Sequence, residues 1–163
     1  MQQKNEDIQK LKSLVDDIKM AMLVTVNADN EMKARPMGTA EVDEEGNLWF
    51  FTNEFSEKVK EISFNNEVMV NYASPSANSY VAINGNASLV NDPDKVKKLW
   101  NPLYKVWFPK GEDDPAIILL KVAPSYIEYW DGSGNKIVVA VQMLKALVTG
   151  KEFKGGEHGT IAV

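Results

Sequence analysis

Ile8, Leu11, Leu14 or Val15, and Ile18 recur at spacings of three and four with charged residues between them. That period predicts an amphipathic helix from Asn5 to about Lys19. Met20 to Asn27 is apolar and rich in β-branched residues, and the cluster Asn27-Ala28-Asp29-Asn30 suits a tight turn into Met32 to Val42, so the pair reads as a β-hairpin. A second turn cluster, Asp43-Glu44-Glu45-Gly46-Asn47, leads into Leu48-Trp49-Phe50-Phe51-Thr52, whose aromatic density favours a buried strand. Phe55, Val59 and Ile62 then share one face of a helix ending near Asn65-Asn66. Glu67 to Ala73 and Ser79 to Val90 read as two further strands across the loop Ser74-Pro75-Ser76-Ala77-Asn78. Asn91-Asp92-Pro93-Asp94 offers a cap and a first-turn proline for a short helix through Val96 to Trp100. Ala116 to Val122 and Ser125 to Trp130 predict a last pair of strands, and Val138 to Val148 a helix before a Gly-rich tail. Six or more strands interrupted by short helices predict a mainly β fold, a β-barrel or curled sheet with flanking helices.

Composition narrows the class. The 163 residues suit one compact domain, with hydrophobic and charged fractions of 44% and 25%, close to those of soluble globular proteins. A formal net charge of −5, with lysines spread along the chain, argues against nucleic acid as a partner. The absence of cysteine excludes disulfides, thiolate metal sites and cysteine nucleophiles. The polar start Met1-Gln2-Gln3-Lys4-Asn5-Glu6-Asp7 lacks the apolar core of a signal peptide, and no apolar run reaches membrane-spanning length. The expectation is a cytoplasmic protein without a membrane partner.

The segment Phe50-Phe51-Thr52-Asn53-Glu54-Phe55-Ser56-Glu57-Lys58-Val59 places a hydroxyl and an ammonium two residues apart where a strand gives way to a helix. Free backbone N–H groups and the dipole at a helix start favour an anion, and Ser56 and Lys58 add a hydroxyl donor and a cation, so the corner can hold a phosphate. A plain N-cap for Ser56 and a solvated Lys58 are the competing reading. Other candidate chemistry is thin. His158, the one histidine, lies in a Gly-rich tail with no evident partner and is expected to be exposed or disordered. Asp43, Glu44 and Glu45 suit a solvated turn, Glu112, Asp113 and Asp114 a loop and helix cap, and Asp92 with Pro93 a helix start. None has metal-ligand spacing with a histidine or cysteine, so no metal is expected.

The strand-to-helix corner resembles the phosphate-binding turn of the pyridoxamine 5'-phosphate oxidase-like, FMN-binding split-barrel superfamily. Ala34-Arg35-Pro36-Met37, on the preceding hairpin strand, is similar to the stretch with which that superfamily presents an arginine and backbone groups to the flavin. Ile127-Glu128-Tyr129-Trp130-Asp131-Gly132 resembles the Glu-Phe-Trp-Gln-Gly element after the last barrel strands of the oxidases. Trp107-Phe108-Pro109-Lys110-Gly111-Glu112-Asp113-Asp114-Pro115 resembles the general stress protein 26 branch. Order and spacing agree from about Met20 to Gly132.

The resemblance implies one split-barrel domain over 1–163, with an N-terminal helix at 1–19, a barrel core with inserted helices at 20–132, and a C-terminal helix and tail at 133–163. It implies FMN, with FAD as the variant, between two copies of the chain. Arg35 and Lys58 would neutralise the phosphate, Ser56 would donate to it, and backbone around Pro36, Met37, Phe51 and Thr52 would line the isoalloxazine. Trp130 would pack near the ring from the second subunit, or equally serve as a core or interface anchor.

Departures from the oxidases limit the implied activity. Glu57 stands where they carry an arginine, Gly38, Thr39 and Ala40 follow Met37 without their lysine, and Ser133-Gly134-Asn135-Lys136-Ile137 has no counterpart of their Arg-Leu-His-Asp-Arg substrate element. Pyridoxamine phosphate oxidation is therefore not expected. The leading expectation is a flavin-dependent oxidoreductase of the general stress protein 26 type, in which the flavin carries the electron chemistry. The alternatives are a non-catalytic flavin-binding or flavin-buffering stress protein, and a split barrel that takes a deazaflavin or haem.

Overall fold

A computed structural model of the chain describes residues 2–132, 136–150, 152 and 156–161. Helix α1 (Gln2–Ile18) is followed by strands β1 (Met20–Val26), β2 (Met32–Val42) and β3 (Leu48–Asn53), helix α2 (Glu57–Phe64), and strands β4 (Glu67–Ser74) and β5 (Ser79–Val90). Helix α3 (Pro93–Leu99) and a 3-10 turn at Pro102–Val106 lead to β6 (Ile117–Asp131), and α4 (Lys136–Thr149) and β7 (Glu157–Ile161) complete the described chain.

The sheet runs in the order β3-β2-β1-β4-β5-β6-β7, with every pairing antiparallel. A further pairing of β3 with β6, from Leu48↔Val122 to Asn53↔Ile117, closes β1 to β6 into a barrel. The edge of β6 that meets β3 in its first half takes β7 in its second, from Ile127↔Ile161 to Asp131↔Glu157. The fold is the expected β-barrel with flanking helices, a split barrel.

Alternation decides which side chains fill it. Along β1, Ala21, Leu23 and Thr25 point inward, and Met20, Met22, Val24 and Val26 point outward. Leu23, Phe50, Val70, Ile83, Leu120, Val122 and Ile127 have no solvent exposure, and Leu11, Leu14 and Val15 of α1 pack on this core. A smaller apolar cluster outside the barrel joins Trp49 and Leu119 to Val96 of α3 and to Phe108.

Both hairpin turns are held as their residue types suggest. Asn27 Oδ1 accepts from the backbone of Asp29 and Glu31, and Asn30 takes a left-handed φ of 61°. Asp43 accepts from the backbone and amide of Asn47 and from the Trp49 indole, while Gly46 supplies a φ of 87°. Asp92 accepts from Lys95 N at 2.9 Å, so the expected cap holds, although its helix begins at Pro93, ahead of Val96.

Three expectations need correction. The last two strands are one, β6, whose register against β5 shifts at Asn84/Gly85. A β-bulge absorbs the break that Ala123-Pro124 suggested to the eye, since a proline is tolerated at such a place. Asp114 caps no helix; it accepts from Ala116 N ahead of β6. His158 is exposed, as expected, but it is not without a partner: β7 sets it beside Glu128 and Trp130. The expected helix at Val138 to Val148 falls within α4; of 133–137, where the substrate element was sought, 133–135 lie outside the described residues and Lys136 and Ile137 open α4.

Candidate functional site

Helix α2 lies at one mouth of the barrel, and its buried residues Val59, Glu61 and Ile62 face inward, with contacts to β1 and β5. The turn before it starts at Asn53, whose side chain accepts from Phe55 N at 2.9 Å and whose carbonyl accepts from Ser56 N. Ser56 occupies the N-cap position in extended conformation, yet its side chain makes no capping hydrogen bond. The simple N-cap reading therefore fails, and the hydroxyl stands 3.5 Å from Thr52 Oγ1. Lys58, one residue into the helix, donates from Nζ to the same Thr52 oxygen at 3.2 Å, so it is not a freely solvated lysine.

Arg35 reaches this mouth from β2, where it pairs with Leu23 and so points to the inner side of the wall. Its Nη1 donates to Thr25 Oγ1 and its Nη2 to Glu61 Oε2 at 2.7 Å. Thr25 also donates to Glu61 Oε2, at 2.5 Å. Burial depresses the Lys58 ammonium, and the neighbouring Arg35 charge depresses it further against the pull of Glu61. Burial works to raise the Glu61 carboxyl, but the Thr25 hydroxyl and Arg35 outweigh it and hold the group below the ordinary range. Arg35, Thr52, Ser56 and Lys58 thus converge on one small polar mouth that carries two cations.

The donor set fits a phosphate. A hydroxyl that caps no backbone N–H and touches only the Thr52 hydroxyl stands at a helix start with the leading N–H groups of α2, and an ammonium and a guanidinium lie beside them. Glu57, the first helical residue, is exposed and adds an acid at the rim.

The other expected site residues divide. Pro36 is exposed and Met37 is buried in the core, so Met37 can offer a ligand only its backbone. The Phe51 side chain leaves the barrel on the face opposite Thr52 and packs on Tyr104, with ring centroids 4.7 Å apart, and on Trp100 and Phe108. Trp130 is 39% exposed near the end of β6, beyond the Ile117–Val122 stretch that pairs with β3. It lies on the same outward side as its register partners Tyr80 and His158 and stacks on the imidazole at 5.1 Å and 10°. His158 Nε2 in turn meets Glu128 Oε1 at 2.9 Å.

Thr25 and Glu61 were not among the expected site residues. Thr25 carried a signal, a polar residue at the inward parity of an otherwise apolar strand. Glu61 sits beside Ile62 on the packed side of α2 and shows nothing in sequence to set it apart from the solvated acids. Among the described residues, no three His, Asp or Glu side chains gather as a metal site requires, and no helix is long and apolar enough to cross a membrane.

Comparison with known proteins gives the family and the fold. The family model described as "Pyridoxamine 5'-phosphate oxidase like" matches residues 6–154. Protein bli-3 of Neurospora crassa is 24% identical over 157 residues, covering 90% of this chain and 75% of its own. A crystal structure from Jannaschia sp. CCS1, described as a candidate general stress protein 26, superposes with a TM-score of 0.79 at 21% identity, covering 97% of this chain and 99% of its own. The general stress FMN/FAD binding protein of Xanthomonas citri superposes with a TM-score of 0.66 at 22% identity, covering 83% and 93%. The chain belongs to the pyridoxamine 5'-phosphate oxidase like family, and its fold is shared with proteins of the general stress protein 26 branch.

Proposed function

We propose that this protein binds a flavin mononucleotide through its phosphate, with Arg35, Ser56, Lys58 and the start of α2 as the phosphate cradle. The observation that carries the reading is the placement of two cations side by side, one of them depressed by burial, next to a helix-start serine that caps nothing. Glu61 answers one of these charges, and a bound anion would answer the other. The FMN/FAD-binding relative with the same fold supports the choice of ligand. Backbone of Pro36, Met37, Phe51 and Thr52 borders the flavin ring in this reading. FAD is the alternative cofactor, since its pyrophosphate offers the same oxygen chemistry.

A second copy completes the site. The outward faces of β1, β4 and β6 expose Met20, Met22, Met69, Tyr126 and Trp130, all more than a third accessible, and Met22 lies opposite Pro36 in the β1–β2 register. Burying this face in a homodimer removes apolar area from water and can bring Trp130 of one copy to the flavin of the other, which its own barrel does not do.

A bound flavin supplies hydride and electron transfer, so the proposed activity is a flavin-dependent oxidoreduction in which the chain binds, orients and shields. Glu61 at this mouth is tied to Thr25 and Arg35 rather than placed to exchange protons with a ligand. That observation also favours the non-catalytic carrier reading, and turnover of NADH or NADPH by flavin-loaded protein separates the two. The binding claim is tested by the absorbance spectrum from about 300 to 550 nm after mixing with FMN and desalting. Retained flavin bands that vanish in Lys58→Ala are expected. A colourless wild-type protein overturns the reading.

A further inference from the structure

Arg35 is not idle in the absence of a ligand. Its two terminal nitrogens are engaged with Thr25 and Glu61, and Glu61 Oε2 gathers both the guanidinium and the Thr25 hydroxyl. The Glu61 side chain is 9% exposed and Thr25 is fully buried, so water does not readily stand in for either partner. The guanidinium thus donates Nη2 to one carboxylate oxygen and Nη1 to the Thr25 hydroxyl, the two donors that a phosphate would otherwise take as a pair.

We propose that Glu61 is an internal competitor for Arg35: its carboxylate holds the guanidinium that a flavin phosphate would otherwise claim, and so sets how strongly the site prefers a phosphorylated flavin to one without phosphate. The inference rests on the flavin-phosphate reading above and goes beyond it by naming the residue that tunes the preference.

Charge makes the competition matter. Arg35 and Lys58 bring two positive charges and Glu61 removes one, whereas a phosphate monoester carries between one and two negative charges at neutral pH. With Glu61 in place the mouth keeps a net charge of about +1, less than a doubly ionised phosphate calls for, and Glu61 accounts for the difference. Lys33 acts on Glu61 from the neighbouring position of β2, but it also pairs with Glu31 at 3.5 Å and is exposed. Glu57, at the rim, is solvated and weakens the field less. Because Glu61 lies within hydrogen-bond reach of the guanidinium and is sheltered from salt, it is the acid whose removal is felt most.

The test is equilibrium titration of the full chain with FMN and with riboflavin, for wild type, Glu61→Gln, Arg35→Gln and the double variant. Glutamine keeps the shape of the side chain and removes its charge; Glu61→Met, also near in volume, serves if the glutamine variant does not fold. Expected are an FMN affinity about tenfold higher in Glu61→Gln, equivalent to about 1.4 kcal/mol, an unchanged riboflavin affinity, and loss of that gain when Arg35 is also replaced. An FMN affinity equal to or below wild type overturns the proposal, as does a gain that persists without Arg35. Wild-type protein that binds FMN and riboflavin equally overturns the phosphate reading itself, and the competitor role with it.

Discussion

Lys58 is held where its charge costs the ligand-free protein stability. Burial and the Arg35 charge depress its ammonium, so the folded chain binds fewer protons than the unfolded one at pH values between the depressed and the ordinary lysine range. The cost is fully present below the folded value and is relieved as pH rises through it. Lys58→Met is therefore expected to raise the unfolding free energy of ligand-free protein slightly at neutral pH, since solvent screens a half-exposed charge, read from urea melts, while abolishing FMN retention. Glu61 has the opposite sign. Its carboxyl is held below the ordinary range, so the stability it contributes is present above about pH 4.3 and is lost as pH falls through its folded value. Asp43 behaves alike, since its hydrogen bonds from Trp49 and Asn47 outweigh its burial. Thermal melts from about pH 6 down to pH 3 should show a steepening loss of stability, and Glu61→Gln should flatten part of that slope. Equal slopes in the two proteins would show that Glu61 is not the titrating group. Ser56 and Lys58 were legible in sequence because a strand-to-helix corner has a recognisable composition. The partnership of Arg35 with Thr25 and Glu61 was not, because it joins β2, β1 and α2 across the barrel mouth and depends on how those elements close.

Along each element, period and turn chemistry carried most of the information. Every strand from β1 to β5 was anticipated to within about two residues, because alternation and Asn/Asp-rich turns bound them. β6 was not, since Ala123-Pro124 breaks the alternation that marks a strand. The structure explains how the strand survives. At the register shift opposite, Gly85 lets the two backbones approach so closely that a Cβ there would lie 2.5 Å from Ala123 O. Gly85→Ala must displace backbone and is expected to cost about 1–3 kcal/mol in a urea melt. A neutral result would mean that the β5–β6 crossing is looser than the register implies. β7 escaped the sequence reading for a different reason: it is short, and long-range pairs hold it. Tyr129 donates to Glu157 Oε1 at 2.6 Å, Lys10 of α1 bridges Asp131 and Glu157, and Ile161 is buried. These contacts fix His158 against Trp130.

The molecule as a whole presents an apolar outer face on a chain whose net charge is −5. A shallow groove of about 380 Å³ runs there past Val24, Met32, Met69 and Ser125, away from the Arg35 mouth. The homodimer proposed above covers this face. Met69→Glu, at an outward position opposite Val24, should shift the protein toward monomer in sedimentation velocity at micromolar concentration and weaken flavin retention. A wild-type monomer under those conditions would contradict the shared site. The barrel class was legible because the count and spacing of strands allow few other closures. Trp130, expected near the ring of a second subunit or as an anchor, lies on the outer face of its own chain away from the phosphate mouth, so its place at a flavin rests on the proposed homodimer.

The proposed flavin phosphate is held by Lys58 and its neighbours at the start of α2. The most direct measurement is the affinity of wild-type and Lys58→Ala protein for FMN and for riboflavin at fixed ionic strength. Wild type is expected to prefer FMN by about tenfold or more, and Lys58→Ala to lose most of that preference through weaker FMN binding alone, through the loss of a charge-assisted hydrogen bond. Equal affinity of wild type for the two flavins, or an FMN preference that survives Lys58→Ala intact, would contradict it.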